Sequence, residues 1–215
     1  MRGTRTIIAR AIALAAIAAF GAARADDPAA ATDATDPHAH HHMMAAAPAP
    51  VRRSEARYEA PPVSLVRDDG VTVGLREVLA TDEPVVLAFI YTSCTTVCPL
   101  TTQTLAQLDV RLGHDRPVRL VSISIDPEQD TPARLAEYAH AFHAGPNWHH
   151  YTGTLTASQS AQRAFDVYRG NKMNHSPAIL VRPTADAPWV RFDGFATVDQ
   201  LLAELPGSTA LTASR

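Results

Sequence analysis

The only two thiols of the 215-residue chain stand four residues apart, in Tyr91-Thr92-Ser93-Cys94-Thr95-Thr96-Val97-Cys98-Pro99. At the start of a helix that spacing puts both sulfurs on one face, where they can meet each other or a common ion. A helix N-terminus also favours thiolate over thiol, drawing a cysteine below its ordinary pKa of about 8.5. The pattern predicts two softened thiols at an exposed junction. Their chemistry is dithiol exchange or the holding of a soft metal ion. An inert buried pair or a structural disulfide is the bland alternative.

The elements that would carry the pair flank it directly. Val85 to Tyr91 is an unbroken apolar run rich in β-branched and aromatic residues, the mark of a strand buried on both faces. Val97 to Leu112 repeats Leu100, Leu105, Leu108 and Leu112 at helical spacing. A second buried strand, Val118 to Ile125, ends at Asp126-Pro127-Glu128-Gln129-Asp130-Thr131-Pro132, where Asp130 or Thr131 can cap a helix with Pro132 in its first turn. Upstream, Val63 to Val73 reads as a hairpin around Asp69-Gly70, and Leu75 to Leu79 as a helical turn. Downstream come a short strand from Trp148 to Tyr151 and a capping box at Thr156 to Gln159 opening a helix to Tyr168. A loop from Arg169 to Pro177 follows, then a hairpin of Ala178–Arg182 and Trp189–Phe195, and a helix opened by a capping box at Thr197 to Gln200. This order describes an α/β chain with a thioredoxin-like fold, extended by an N-terminal β-hairpin and a mid-chain insertion. In a parallel sheet the loops after successive strands gather at the carboxyl edge. Cys94, Cys98 and Asp126 therefore share an edge, and His175 can fold back towards it.

The ends of the chain are different in kind. A basic start, an apolar run from Ile7 to Ala23 and an Ala23-Arg24-Ala25 site describe a signal peptide over residues 1–25. The run is shorter than the roughly 20 residues that cross a bilayer, and an uncleaved inner-membrane anchor facing the periplasm is the alternative. Cleavage removes four arginines and no acid, taking formal net charge from −3 to −7. An acidic chain whose single lysine is Lys172 argues against a nucleic-acid partner. Export to the periplasm means an oxidising compartment, in which a lone cysteine pair forms a disulfide bond unless it is reduced or metallated. Residues 26–57, rich in Ala, Pro, Thr, Asp and His, read as a disordered linker. Within it His38, His40, His41, His42, Met43 and Met44 form either a solvated tether (or a tag remnant) or a copper-scavenging tail, because imidazole with thioether suits copper. The folded domain spans 58–206, and 207–215 is a flexible tail.

The cysteine run, the Asp126-Pro127-Glu128-Gln129-Asp130-Thr131-Pro132 string and His175-Ser176 resemble, in order, three signatures of the Sco/SenC copper proteins, over about Tyr58 to Leu205. The resemblance implies Cys94, Cys98 and His175 as copper ligands with Asp126 as an accessory. It implies an exported or membrane-anchored thioredoxin fold that serves the binuclear copper centre of cytochrome c oxidase. The partner would be the copper-bearing oxidase subunit or another periplasmic copper carrier, with a membrane involved only if the signal segment is retained. The loop from Tyr168 to His175 is shorter than the family pattern, and Pro177 follows closely. His175 then has little room to swing, which predicts a place beside the cysteine turn.

The donor chemistry agrees with that resemblance. Two thiolates and an imidazole can hold Cu(I) trigonally and tolerate Cu(II), whereas zinc wants a fourth ligand. Without the resemblance, His175 is an ordinary loop histidine and Asp126 an ordinary turn residue. His140, His143, His149 and His150 take no ligand role, and Trp148, Trp189 and the helical leucines read as core. The competing function is a periplasmic thiol–disulfide oxidoreductase acting through Cys94 and Cys98. The three-residue spacer, against the two of redox thioredoxins, counts against it. A peroxiredoxin-like peroxidase comes third, since the usual peroxidatic pattern is missing.

Overall fold

A computed structural model describes residues 50–113 and 115–207. The signal segment, the His38–Met44 cluster and residues 208–215 lie outside the described residues. The strands are β1 (Arg52–Ala56), β2 (Ser64–Arg67), β3 (Thr72–Gly74), β4 (Val85–Ile90), β5 (Arg119–Ser124), β6 (Trp148–Gly153), β7 (Ala178–Arg182) and β8 (Trp189–Asp193). The helices are α1 (Leu75–Leu79), α2 (Val97–Leu112), α3 (Pro132–Ala141), α4 (Leu155–Ala164) and α5 (Val198–Ala203). A single 3-10 turn, Lys172–Asn174, interrupts the loop before β7.

All eight strands join one sheet in the order β1-β8-β7-β4-β5-β6-β2-β3. β4, β5 and β6 run parallel, while β7 and β8 return antiparallel on one side and β2 and β3 on the other. Every residue of β4 is buried, as the continuous apolar run requires. Val85, Leu87 and Phe89 point into one core layer, and Val86 and Ala88 into the other, where Leu105, Leu108 and Leu112 of α2 cover them. Leu100, counted with those leucines by its spacing, is instead 55% exposed. Five residues from Leu105, it is turned about 140° from that residue, at the middle of the buried stripe. Trp148 and Trp189 are both core.

The largest departures from the sequence expectation are at β1 and α4. β1 lies inside the stretch read as linker, pairing along its whole length with β8. Its polar sequence hides it, because an edge strand needs backbone partners rather than an apolar face. Arg52–Asp193 and Arg53–Glu204 ion pairs, at 2.6 and 2.7 Å, add to the ladder. α4 opens two residues earlier than the expected capping box, with Thr154 accepting from the Ala157 amide. It also ends earlier, because Asp166 takes a left-handed φ of 52° just past Phe165. The capping box at Thr197 and Gln200 forms as expected.

Candidate metal centre

β4 delivers the chain into the cysteine turn, which closes with the Cys94 amide donating to the Tyr91 carbonyl at 3.2 Å. The Cys98 amide, in the first turn of α2, then donates to Cys94 Sγ at 3.4 Å, and the Thr96 hydroxyl lies 3.7 Å from the same sulfur. Both cysteines are free thiols, and both are buried rather than exposed. Nor are they softened equally. Burial by itself raises the Cys94 pKa, but the amides of Cys98 and Thr96 and the hydroxyls of Tyr91 and Thr96 outweigh it and hold the thiol at about 6. Burial pushes the Cys98 thiol well up, the hydrogen-bonded Cys94 sulfur pushes it further, and the Tyr91 amide offsets only part. The pair is one thiolate beside one thiol. Iodoacetamide labelling read by site-resolved mass spectrometry should therefore rise at Cys94 through pH 6 and level off about a unit above, with Cys98 unlabelled throughout. A Cys94 rate still climbing above about pH 8, as for an ordinary thiol, would overturn the assignment.

Asp130 does more to hold the turn than its sequence position suggested. It is fully buried and takes hydrogen bonds from the Thr92 amide (3.2 and 3.3 Å), the Thr92 hydroxyl (2.6 Å) and the Ser124 hydroxyl (2.6 Å). Arg134 Nε adds a bond to the Thr92 hydroxyl at 3.0 Å. One carboxylate thus ties the residue after Tyr91 to the end of β5 and, through Arg134, to α3. The helix cap is Thr131, whose hydroxyl accepts from the Arg134 amide. Asp126, the expected accessory, is buried at the β5 end and pairs with Lys172 Nζ at 2.5 Å, so it anchors the His175 loop rather than the cysteines.

His175 Nε2 donates to the Phe89 carbonyl at 2.9 Å; only the protonated nitrogen can do so, which leaves Nδ1 with its lone pair. Burial holds its pKa below the ordinary histidine value, so the ring is neutral near pH 7 and competent as a ligand. It does not sit on the cysteines. Among the described residues no three His, Cys, Asp or Glu side chains gather closely enough to hold a metal ion. The short loop holds His175 beside Tyr91, where the cysteine turn begins, without gathering it and the two sulfurs into one metal-holding group. Tyr91 stands between them, its ring edge-on to His175 with centroids 6.5 Å apart and its hydroxyl near enough to Cys94 to lower that thiol's pKa. His175 also borders a cavity of about 290 Å³ shared with Asp126, Lys172, Tyr168 and Gln162.

A thiol pair at a strand–helix junction, an acid-bearing β5 end and a histidine loop ahead of β7 form an arrangement with a family. The SCO1/SenC pattern matches residues 51–205. The chain belongs to the SCO1/SenC family. It is similar to an SCO1 protein homolog of Bacillus subtilis, 34% identical over 98 residues, which are 45% of this chain and 50% of that protein. It is also similar to protein SenC of Rhodobacter capsulatus, 33% identical over 123 residues, 56% of this chain and 53% of that protein. The matches span about half the length of these relatives. Among solved structures, Arabidopsis thaliana ScoI with copper bound shares 28% identity at a TM-score of 0.54, over 66% of this chain and 92% of that one. A SCO1/SenC family lipoprotein from Bacillus anthracis, 19% identical, shares the fold at a TM-score of 0.60 over 74% of this chain and 98% of that one. The thioredoxin-like α/β fold expected from the sequence is thus the SCO1/SenC fold. Among the described residues no helix is long and apolar enough to cross a membrane.

Proposed function

We propose that this SCO1/SenC chain is an exported copper-binding protein that delivers copper to the binuclear copper site of cytochrome c oxidase and can reduce the cysteines there. The observation that carries the reading is the Cys94–Cys98 pair, joined by the Cys98 amide to Cys94 Sγ contact at the head of α2. A thiolate is in place to take a soft ion, and the second sulfur becomes a ligand by giving up its proton. His175 offers a neutral Nδ1 as third ligand once its Nε2–H leaves the Phe89 carbonyl and the loop closes past Tyr91. The copper-bound Arabidopsis relative supports copper as the cargo. The periplasm, the oxidase subunit as recipient and the His38–Met44 tail as a copper collector belong to the same proposal.

The unequal thiols favour a second reading as a periplasmic thiol–disulfide oxidoreductase, with Cys94 attacking and Cys98 resolving. Metal analysis separates the two. Reduced protein lacking residues 38–44 should retain a single copper per chain, and Cys94→Ser/Cys98→Ser should retain none. Full retention by the double variant would sink the copper assignment.

A further inference from the structure

The solvent side of α2 is built unlike that of the other helices among the described residues. Its exposed positions are Leu100, Gln103, Gln107 and Val110, and none carries a charge. The helices α1, α3, α4 and α5 instead expose Arg76, Glu137, Arg163 and Asp199. Val110 is 78% exposed, more than any other large apolar side chain described. Spacings of three, four and three residues put the four on one stripe, turned away from the leucines that pack on the sheet. A hollow lies along each flank. One, of about 790 Å³, runs beside Leu100 and is walled by Val51, Phe195 and Val198. The other, of about 550 Å³, runs beside Val110 and is walled by Phe142. Gln103 and Gln107 line both, so the stripe is a ridge between two hollows.

Two features of the stripe decide what covers it. It reads apolar, amide, amide, apolar, with the same spacings from either end. A second copy laid antiparallel along it sets Leu100 against the other Val110 and Gln103 against the other Gln107, each contact made twice about a two-fold axis. The amides both donate and accept, so they pair in this register and lose their partners in a slipped one. Each Val110 then meets the hollow beside Leu100 and Phe195, and each Leu100 the hollow beside Val110 and Phe142. The second feature is charge. The chain is acidic, at a net −3, so its copies repel except where a face is neutral, whereas opposite charge is what steers a different protein to its site. A parallel pair would bring like helix ends together and set Arg111 against Arg111; the antiparallel pair does neither.

We infer that this face is an interface between two copies of the chain, packed antiparallel through α2. Cys98 of one copy then stands level with Leu112 of the other, which puts the two cysteine turns at opposite ends of the seam, about 21 Å apart along it. The seam is short, so the association is reversible. It does not depend on what Cys94 and Cys98 hold.

The test is sedimentation equilibrium of the full chain, kept reduced, over rising concentration. The average mass should climb from one chain towards two. Val110→Lys, at a side chain already in water, should hold it at one chain with the unfolding transition unchanged. In a Cys94→Ser/Cys98→Ser background, chains carrying Gln103→Cys mixed with chains carrying Gln107→Cys should form a disulfide-linked pair under mild oxidation several-fold faster than either chain alone. A protein monomeric at every concentration overturns the inference and leaves the face to a protein of different sequence. A dimer that survives Val110→Lys overturns it, as does Gln103→Cys linking to itself as fast as to Gln107→Cys.

Discussion

His175→Ala should keep most of its Cu(I) and lose most of its Cu(II). Cu(I) is satisfied by two thiolates in a linear arrangement, so removing the imidazole costs it little. Cu(II) is harder and prefers nitrogen and more ligands, so its affinity should fall by roughly tenfold or more, about 1.4 kcal/mol. The imidazole is neutral near pH 7 and its Nδ1 keeps its lone pair in the Nε2–H tautomer, so no deprotonation precedes binding. The cost that remains is the hydrogen bond to the Phe89 carbonyl, worth about 1 kcal/mol net. Paired Cu(I) and Cu(II) titrations, with the Cu(II)–thiolate charge-transfer band as second readout, check this. An unchanged Cu(II) spectrum removes His175 from the site. If the cysteines served dithiol exchange alone, the substitution would leave metal behaviour untouched.

Asp130→Ala should weaken both the fold and the cysteine turn. It strips the acceptor from the Thr92 amide, the Thr92 hydroxyl and the Ser124 hydroxyl, all converging on a carboxylate with no exposed surface. Buried donors left without partners cost about 1–3 kcal/mol each, and even with partial relaxation the sum is about 3 kcal/mol. For a domain of this size that lowers Tm by about 6–12 °C. The damage should also reach the site, because Thr92 is the first residue of the turn that sets Cys94 against the Cys98 amide. Asp130→Asn keeps one acceptor and should lose less. Thermal unfolding with Cys94 labelling across pH provides both readouts. A Tm unchanged in Asp130→Ala would show that the carboxylate does not anchor the turn.

Sequence alone determined the parts of this protein that local physics controls. The apolar run of β4 reads as a strand buried on both faces, and the four-residue cysteine spacing sets Cys94, in the turn before α2, against the Cys98 amide in its first turn. Thr197 and Gln200 could announce their own capping box. The order of strands and helices then implied one sheet edge for Cys94, Cys98 and Asp126, and the three short motifs implied the family.

The tertiary structure decided what depends on partners far along the chain. β1 is polar and becomes a strand only because β8 offers an open edge. Leu100 and Leu105 look alike in sequence and differ because only one faces the sheet. The two cysteines share a helix terminus, yet one thiol is pulled down by converging amides and hydroxyls while the other is pushed up by burial. Asp130 reads as a helix cap until Thr92 and Ser124, 38 and 6 residues away, are seen to donate to it. His175 was legible as a candidate ligand, but its bond to Phe89, 86 residues upstream, and the tyrosine between it and the sulfurs were not. Periodicity and spacing encode which face a side chain takes; desolvation and long-range hydrogen bonds, which set its chemistry, exist only after the chain has folded.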